Sequence, residues 1–166
     1  MDVPENSLCR RCGLCCDGSL FADVILGRDE LNPIEQAIGY EARNDRIYLQ
    51  QPCLALCNGD CQIYSHRPDG CRTFECQLLK EVKAGQLTTP AALEKIKRIK
   101  ERIEKIKQLL EDLDYADRSF PLSYQCESAL SAPWDLSAPQ SVQDKRDQLY
   151  QSVAELEAEL QDQFRS

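Results

Sequence analysis

Lysine is absent from the first 79 residues, and the whole 166-residue chain holds a single histidine, His66. One histidine excludes a catalytic network built from several imidazoles. No stretch reaches the roughly 18 to 20 apolar residues that a membrane span requires, so no membrane partner is expected. There is no phosphate loop, dinucleotide fingerprint, Ser/His/Asp set or pair of acid–base carboxylates, which counts against an enzyme. Basic charge is also short: 20 Lys and Arg face 28 Asp and Glu, a net charge of -8. Nucleic-acid binding depends on neutralising phosphates with basic side chains, so that class is set aside. The opening residues "MDVPENSLCRRCG" lack the basic-then-apolar layout of an export signal. A cytoplasmic, reducing location is expected.

Cysteine is what the chain has in excess. There are ten, of which nine lie between Cys9 and Cys76 and one, Cys126, lies outside. In an exported mini-domain such density reads as a disulfide framework; in a reducing compartment it reads as metal binding or redox chemistry. The adjacent Cys15 and Cys16 weigh against disulfides, since neighbouring cysteines pair with each other only under strain.

The chain changes character near residue 80. Seven arginines precede that point, and all eight lysines come at Lys80 or later, in a half rich in Glu, Gln, Leu and Ile. In the first half, "LFADVIL" (20–26) and "RIYLQQ" (46–51) suit strands. In "NPIEQAIGY", Asn32 can cap, Pro33 suits a first helical position and Glu35 completes a capping box, which predicts a short helix over 33–38. "NGD" and "PDG" are turn signals.

The second half is helical. Thr89 is expected to cap a helix with Pro90 in its first turn. Leu93, Ile96, Ile99, Ile103, Ile106, Leu110 and Leu113 fall three and four apart, as along a coiled-coil seam. Val142, Leu149, Val153, Leu156 and Leu160 form a second seam, with Ser141 and Asp144 as a capping signal. Each helix spans about 24 residues, or roughly 36 Å at 1.5 Å per residue, and the pair is expected to close as an antiparallel hairpin. The link over 115–140, with Pro121, Pro133, Trp134 and Pro139, reads as ordered turns. The fold class is α+β: a small metal-stapled cysteine-cluster domain (1–80) with short strands and a short helix, followed by a helical hairpin (88–166).

Cys9, Cys12 and Cys15 are spaced C-x2-C-x2-C, which sets three thiols on one tight loop that Gly13 lets turn. Closely spaced soft ligands of this kind hold zinc or one face of an iron–sulfur cluster, and bacterial ferredoxins use the same local run. The fourth ferredoxin cysteine is missing, so a further ligand is Cys16 or comes from the later group, Cys53, Cys57, Cys61, Cys71 and Cys76. That group matches neither the zinc ribbon nor the zinc finger spacing. The two blocks are expected to meet at one site; nine thiols also suffice for two tetrahedral sites with one left over. Arg10, Arg11, Arg67 and Arg72 lie close to cysteines, and Arg72 is the first choice for a hydrogen bond to sulfur. His66 reads as a loop residue more than a ligand. Cys126 reads as a small buried apolar side chain, and Tyr64 and Phe74 as packing around the cluster.

The run "CRRCGLCC" followed by "CQIYSHRPDGCRTFEC" resembles the CxxCxxCC cysteine-cluster family of zinc- or iron-chelating domains. The likeness falls on Cys9, Cys12, Cys15 and Cys16, then on Cys61, Ile63, Tyr64, Arg67, Pro68, Cys71, Arg72 and Phe74, with Cys53 ahead of the second block. Cys57 and Cys76 stand as additions. The resemblance covers about residues 9–76 and leaves the helical half unexplained. It implies a metal-binding protein holding zinc or iron, or an iron–sulfur cluster. Two other classes stay open: a metal-dependent or redox enzyme, and an adaptor that binds a protein partner through the hairpin.

Overall fold

The computed structural model describes residues 4–30, 39–133 and 135–165. The chain opens with α1 (Pro4–Cys12), so Cys9 and Cys12 sit on a helix and not on the loop expected from their spacing. Gly13 follows at φ 72°, a left-handed turn that ends the helix without a Cβ penalty. The helix expected over 33–38 lies outside the described residues.

Three antiparallel strands form the main sheet, in the order β1-β3-β2: β1 (Asp23–Leu26), β2 (Tyr40–Arg43) and β3 (Arg46–Gln50). β1 starts three residues later than "LFADVIL" suggests, while β3 closely matches "RIYLQQ". Asn44 and Asp45 join β2 to β3 at φ 50° and 61°, so both central residues of this two-residue turn are left-handed, as tight hairpins favour. Asn58 and Gly59 repeat the device between β4 (Leu56–Cys57) and β5 (Asp60–Cys61), where "NGD" predicted a turn. Val24 and Leu26 of β1 pair with Leu49 and Ile47 of β3. Leu26 and Leu49 are buried with Cys53 and Ala55 in a small core, against which Cys16, Val24, Ile47, Ile63 and Cys71 pack.

Two short helices follow, α2 (Asp69–Thr73) and α3 (Gln77–Lys83). Then α4 (Thr89–Asp112) and α6 (Gln140–Gln163) run for 24 residues each, the length the two seams predict. Thr88, not Thr89, caps α4: its Oγ1 accepts from the Ala91 N–H at 3.4 Å. Ser141 does not cap α6, which begins one residue earlier, after Pro139. The link contains a helix, α5 (Leu122–Ser131), where only turns were expected. Pro121 starts it, and its buried face carries Leu122, Cys126 and Ala129.

Ion pairs show that α4 and α6 run antiparallel: Lys145 Nζ meets Asp112 at 2.8 Å, and Arg102 Nε meets Glu159 at 3.2 Å, with Glu155 close by. Such half-exposed pairs add little stability, so packing between the helices does most of the holding. Ile96, Ile99, Ile103, Ile106 and Leu110 of α4 are buried with Leu149, Leu156 and Leu160 of α6. The same core takes in Leu8, Leu14, Leu20, Leu78 and Leu79 from the cysteine-rich half. Two backbone ties reinforce it. Arg165 donates to the Leu20 carbonyl at 2.9 Å, and the Leu122 N–H donates to the Gly18 carbonyl at 3.0 Å. Among the described residues no helix is long and apolar enough to cross a membrane.

Candidate metal centre

The helix–turn at the start of the chain brings Cys9, Cys12 and Cys15 together. Cys9 and Cys12 are one turn apart on α1, and after Gly13 the backbone folds tightly, with the Cys16 and Asp17 N–H groups donating to the Gly13 carbonyl at 2.9 and 3.0 Å. Cys76 meets them from α3, where its Sγ caps the helix by accepting from the Leu79 N–H at 3.4 Å.

Cys16 faces another set of neighbours. Its carbonyl accepts from the Cys53 N–H at 2.8 Å, which ties the first cysteine block to the chain leaving the sheet. Cys61 lies on β5, opposite Leu56. Cys71 lies on α2, which packs against β1 so closely that a Cβ on Gly70 would stand 2.8 Å from Val24 Cγ1.

Eight cysteines from the two blocks, Cys9, Cys12, Cys15 and Cys16 with Cys53, Cys61, Cys71 and Cys76, line one cavity of about 400 Å³. Cys57 does not line it and is exposed, and Cys126 is buried in the large core. All ten cysteines are free thiols. Phe21 and Phe74 close part of the wall, edge to face at 5.0 Å between ring centroids. Ile96 of α4 and Phe164, just beyond α6, line it as well. The cavity therefore uses both halves of the chain, which the cysteine spacing alone does not reveal; Ile96 reads in sequence only as a seam residue.

Burial is the leading influence on these thiols. It raises Cys12 and Cys16 to about 12 and Cys71 to about 11, and pushes up Cys9, Cys15, Cys53 and Cys76. Mutual repulsion of neighbouring thiolates adds to the effect for all of them except Cys76, whose remaining influences all act in the opposite direction. A nucleophilic or redox-active cysteine needs a lowered value, so this wall is not built for a free thiolate. It suits thiols that ionise only when a cation takes them. Positive charge is placed to help: Arg67 acts on Cys9 and Cys71, Lys83 on Cys9, Lys100 on Cys12 and Lys80 on Cys76. None of the three lysines was among the residues singled out in the sequence.

Arg72 does not take the part expected of it. It pairs with Asp69 at the surface, while Arg67 lines the cavity and lies over the Tyr64 ring at 3.6 Å. Arg10 also lines it and holds Asp60 through two hydrogen bonds of 3.1 and 2.9 Å. Arg11 contributes its carbonyl, which accepts from Lys100 at 3.2 Å. His66 is exposed, hydrogen-bonds to Ser65 at 2.9 Å and does not line the cavity.

Among the described residues no three or more His, Cys, Asp or Glu side chains stand close enough together to hold a metal ion. What the fold supplies is eight thiols on one cavity wall that also carries Asp23, a sulfur-rich lining of the soft chemistry that selects zinc or iron–sulfur centres over magnesium or calcium.

The sequence profile of the CxxCxxCC family, described as "Putative zinc- or iron-chelating domain", matches residues 8–101. The chain belongs to the CxxCxxCC family. The match takes in more than half the chain and runs past the cysteine blocks into α4, further than the motifs themselves extend. No curated protein and no solved structure matches the chain. The CxxCxxCC description names a zinc- or iron-chelating domain, and the matched residues include the eight cysteines that line the cavity.

Proposed function

We propose that this CxxCxxCC protein is a cytoplasmic metal-binding protein that chelates zinc or iron through the thiols of its cavity. The observation that carries this reading is that two cysteine blocks, with 36 residues between Cys16 and Cys53, converge on one cavity while Cys57 and Cys126 are left out of it. Cys9, Cys12, Cys15, Cys16, Cys53, Cys61, Cys71 and Cys76 are the ligand candidates. Arg67 and the lysines of α3 and α4 offset the negative charge that thiolate ligation creates. Much of the remaining wall is aromatic or aliphatic, with Phe21, Phe74, Ile96 and Phe164 among its residues.

An iron–sulfur cluster is the second reading. A cavity of about 400 Å³ has room for more than a single bare ion, and three of its thiols sit in the C-x2-C-x2-C run that ferredoxins use.

Elemental analysis with a visible spectrum, on protein purified without oxygen, tests both readings. Stoichiometric zinc with no colour supports a structural or carrier role. Brown protein with iron and acid-labile sulfide supports the cluster. Metal-free protein with stable disulfides would overturn the proposal altogether.

A further inference from the structure

The eight cavity thiols do not form one undivided group. Cys9, Cys12, Cys15 and Cys76 pack against the large core that contains Leu8, Leu14 and Leu78. Cys53 belongs to the small core behind the sheet, and Cys16 and Cys71 pack against that one. The supporting elements divide in the same way except at β5, which is also tied to α1 through Arg10 and Asp60. α1, its glycine turn and the start of α3 carry the first four; the Cys16–Cys53 hydrogen bond, β5 and α2 carry the second four.

Cys61, on β5 opposite Leu56, is packed in neither core. It joins the second set through its neighbour Gln62, whose N–H donates to the carbonyl of Ala55 in the small core at 2.9 Å. Cys15 and Cys16, adjacent in the chain, are where the two sets meet.

We propose that the cavity holds two four-cysteine sites, Cys9/Cys12/Cys15/Cys76 and Cys16/Cys53/Cys61/Cys71, joined back to back through the Cys15–Cys16 peptide. Four thiolates complete a closed tetrahedral zinc site, or hold one iron–sulfur cluster, without any further protein ligand. The adjacent pair in "CC" then serves to hand one backbone from the first site to the second. Cys57 belongs to neither, despite its place in the C-x3-C-x3-C run. This inference rests on the metal-chelation reading and assigns its stoichiometry and its ligands.

The test is metal content per chain in single and double serine variants of the full-length protein. Metal-free protein is reloaded with Zn²⁺ in one arm and with ferrous iron plus sulfide in the other. The arm that reproduces the content of protein purified without oxygen is then used throughout. The variants are Cys12→Ser and Cys76→Ser for the first site, and Cys53→Ser and Cys71→Ser for the second. Circular dichroism of α4 and α6 verifies that each is folded.

Each single variant is expected to keep half the wild-type metal. A double variant within one site should lose no more than its singles, whereas Cys76→Ser with Cys71→Ser should lose all of it. A single undivided site predicts instead that any folded single variant loses everything, and that pairs within and across the groups behave alike. That result overturns the two-site assignment while leaving chelation intact. A wild-type protein that binds no metal in either arm overturns the chelation reading itself. If serine at one site unfolds the protein, halved metal in the folded variants of the other site still supports the division, and total loss in them refutes it.

Discussion

Cys15 and Cys16 are joined by a single peptide bond, yet Cys15 packs against the large helical core and Cys16 against the small core behind the sheet. The doubled cysteine is thus the point where two packing environments meet. Consecutive side chains leave the backbone in different directions, so an adjacent pair reaches two sites more readily than it closes one.

Cys57 is outside the cavity, and its replacement should leave the site untouched. Cys57→Ser is expected to keep full wild-type metal content, and Cys57 should be the first cysteine alkylated in the native protein. Elemental analysis of the variant measures the first, and mass spectrometry of peptides from the native protein after a timed iodoacetamide pulse measures the second. Loss of metal in this variant would place Cys57 among the ligands.

Cys126 should behave in the opposite manner. Burial raises its thiol to about 11, so at pH 8 only about one thiol in a thousand is ionised and reactive. Alkylation should accelerate about tenfold per pH unit until the pH nears 11. The sign follows from linkage: the fold favours the neutral thiol, so the stability tied to it is complete below the ordinary thiol range and is lost as pH rises through 11. A rate at pH 8 equal to that of Cys57 would contradict the burial.

Gly70 is held against β1, with an added Cβ placed 2.8 Å from Val24 Cγ1 and 3.0 Å from the Ile25 carbonyl. Gly70→Ala should push α2 off the sheet and cost about 1–3 kcal/mol, as overpacking does. Because Cys71 is the next residue, metal affinity should fall as well. Chemical denaturation and a competition titration with a chromophoric chelator would register the two effects separately.

Ile103 is 1% exposed in the middle of α4. Ile103→Ala should cost about 2–5 kcal/mol by opening a cavity between the long helices. A chain ending at residue 87 should fare worse, since Leu8, Leu14 and Leu78 lose the core they share with α4 and α6. Such a fragment is expected to hold little metal. Full metal retention by it would show that the cysteine-rich half closes its own core.

Stripping the metal should loosen the sheet before the helices. Among the described residues the small core has four buried members, Leu26, Leu49, Cys53 and Ala55, whereas a structural zinc site contributes on the order of 10 kcal/mol to small domains. Hydrogen exchange followed by mass spectrometry should show faster exchange in β1, β2 and β3 after chelation, with α4 and α6 little changed. Uniform acceleration would mean that the two parts unfold as one.

Much of this protein is written locally in its sequence. Three- and four-residue spacing of Ile and Leu sets the two 24-residue helices, because a helix returns to the same face at that interval. "NGD" sets the β4–β5 hairpin, because Asn and Gly tolerate left-handed backbone. Cysteine spacing identifies the two blocks and the metal-directed chemistry. Tertiary structure decided what local signals do not carry. It placed helix α5 in a link whose prolines suggested turns only, since the burial of Leu122 and Cys126 depends on neighbours distant in sequence. It chose Arg67 over Arg72 to face the thiols, and sent Ile96 and Phe164 to the cavity wall. It sorted seven of the eight cavity cysteines by which core lies behind them, a property of packing between elements that no interval along the chain encodes.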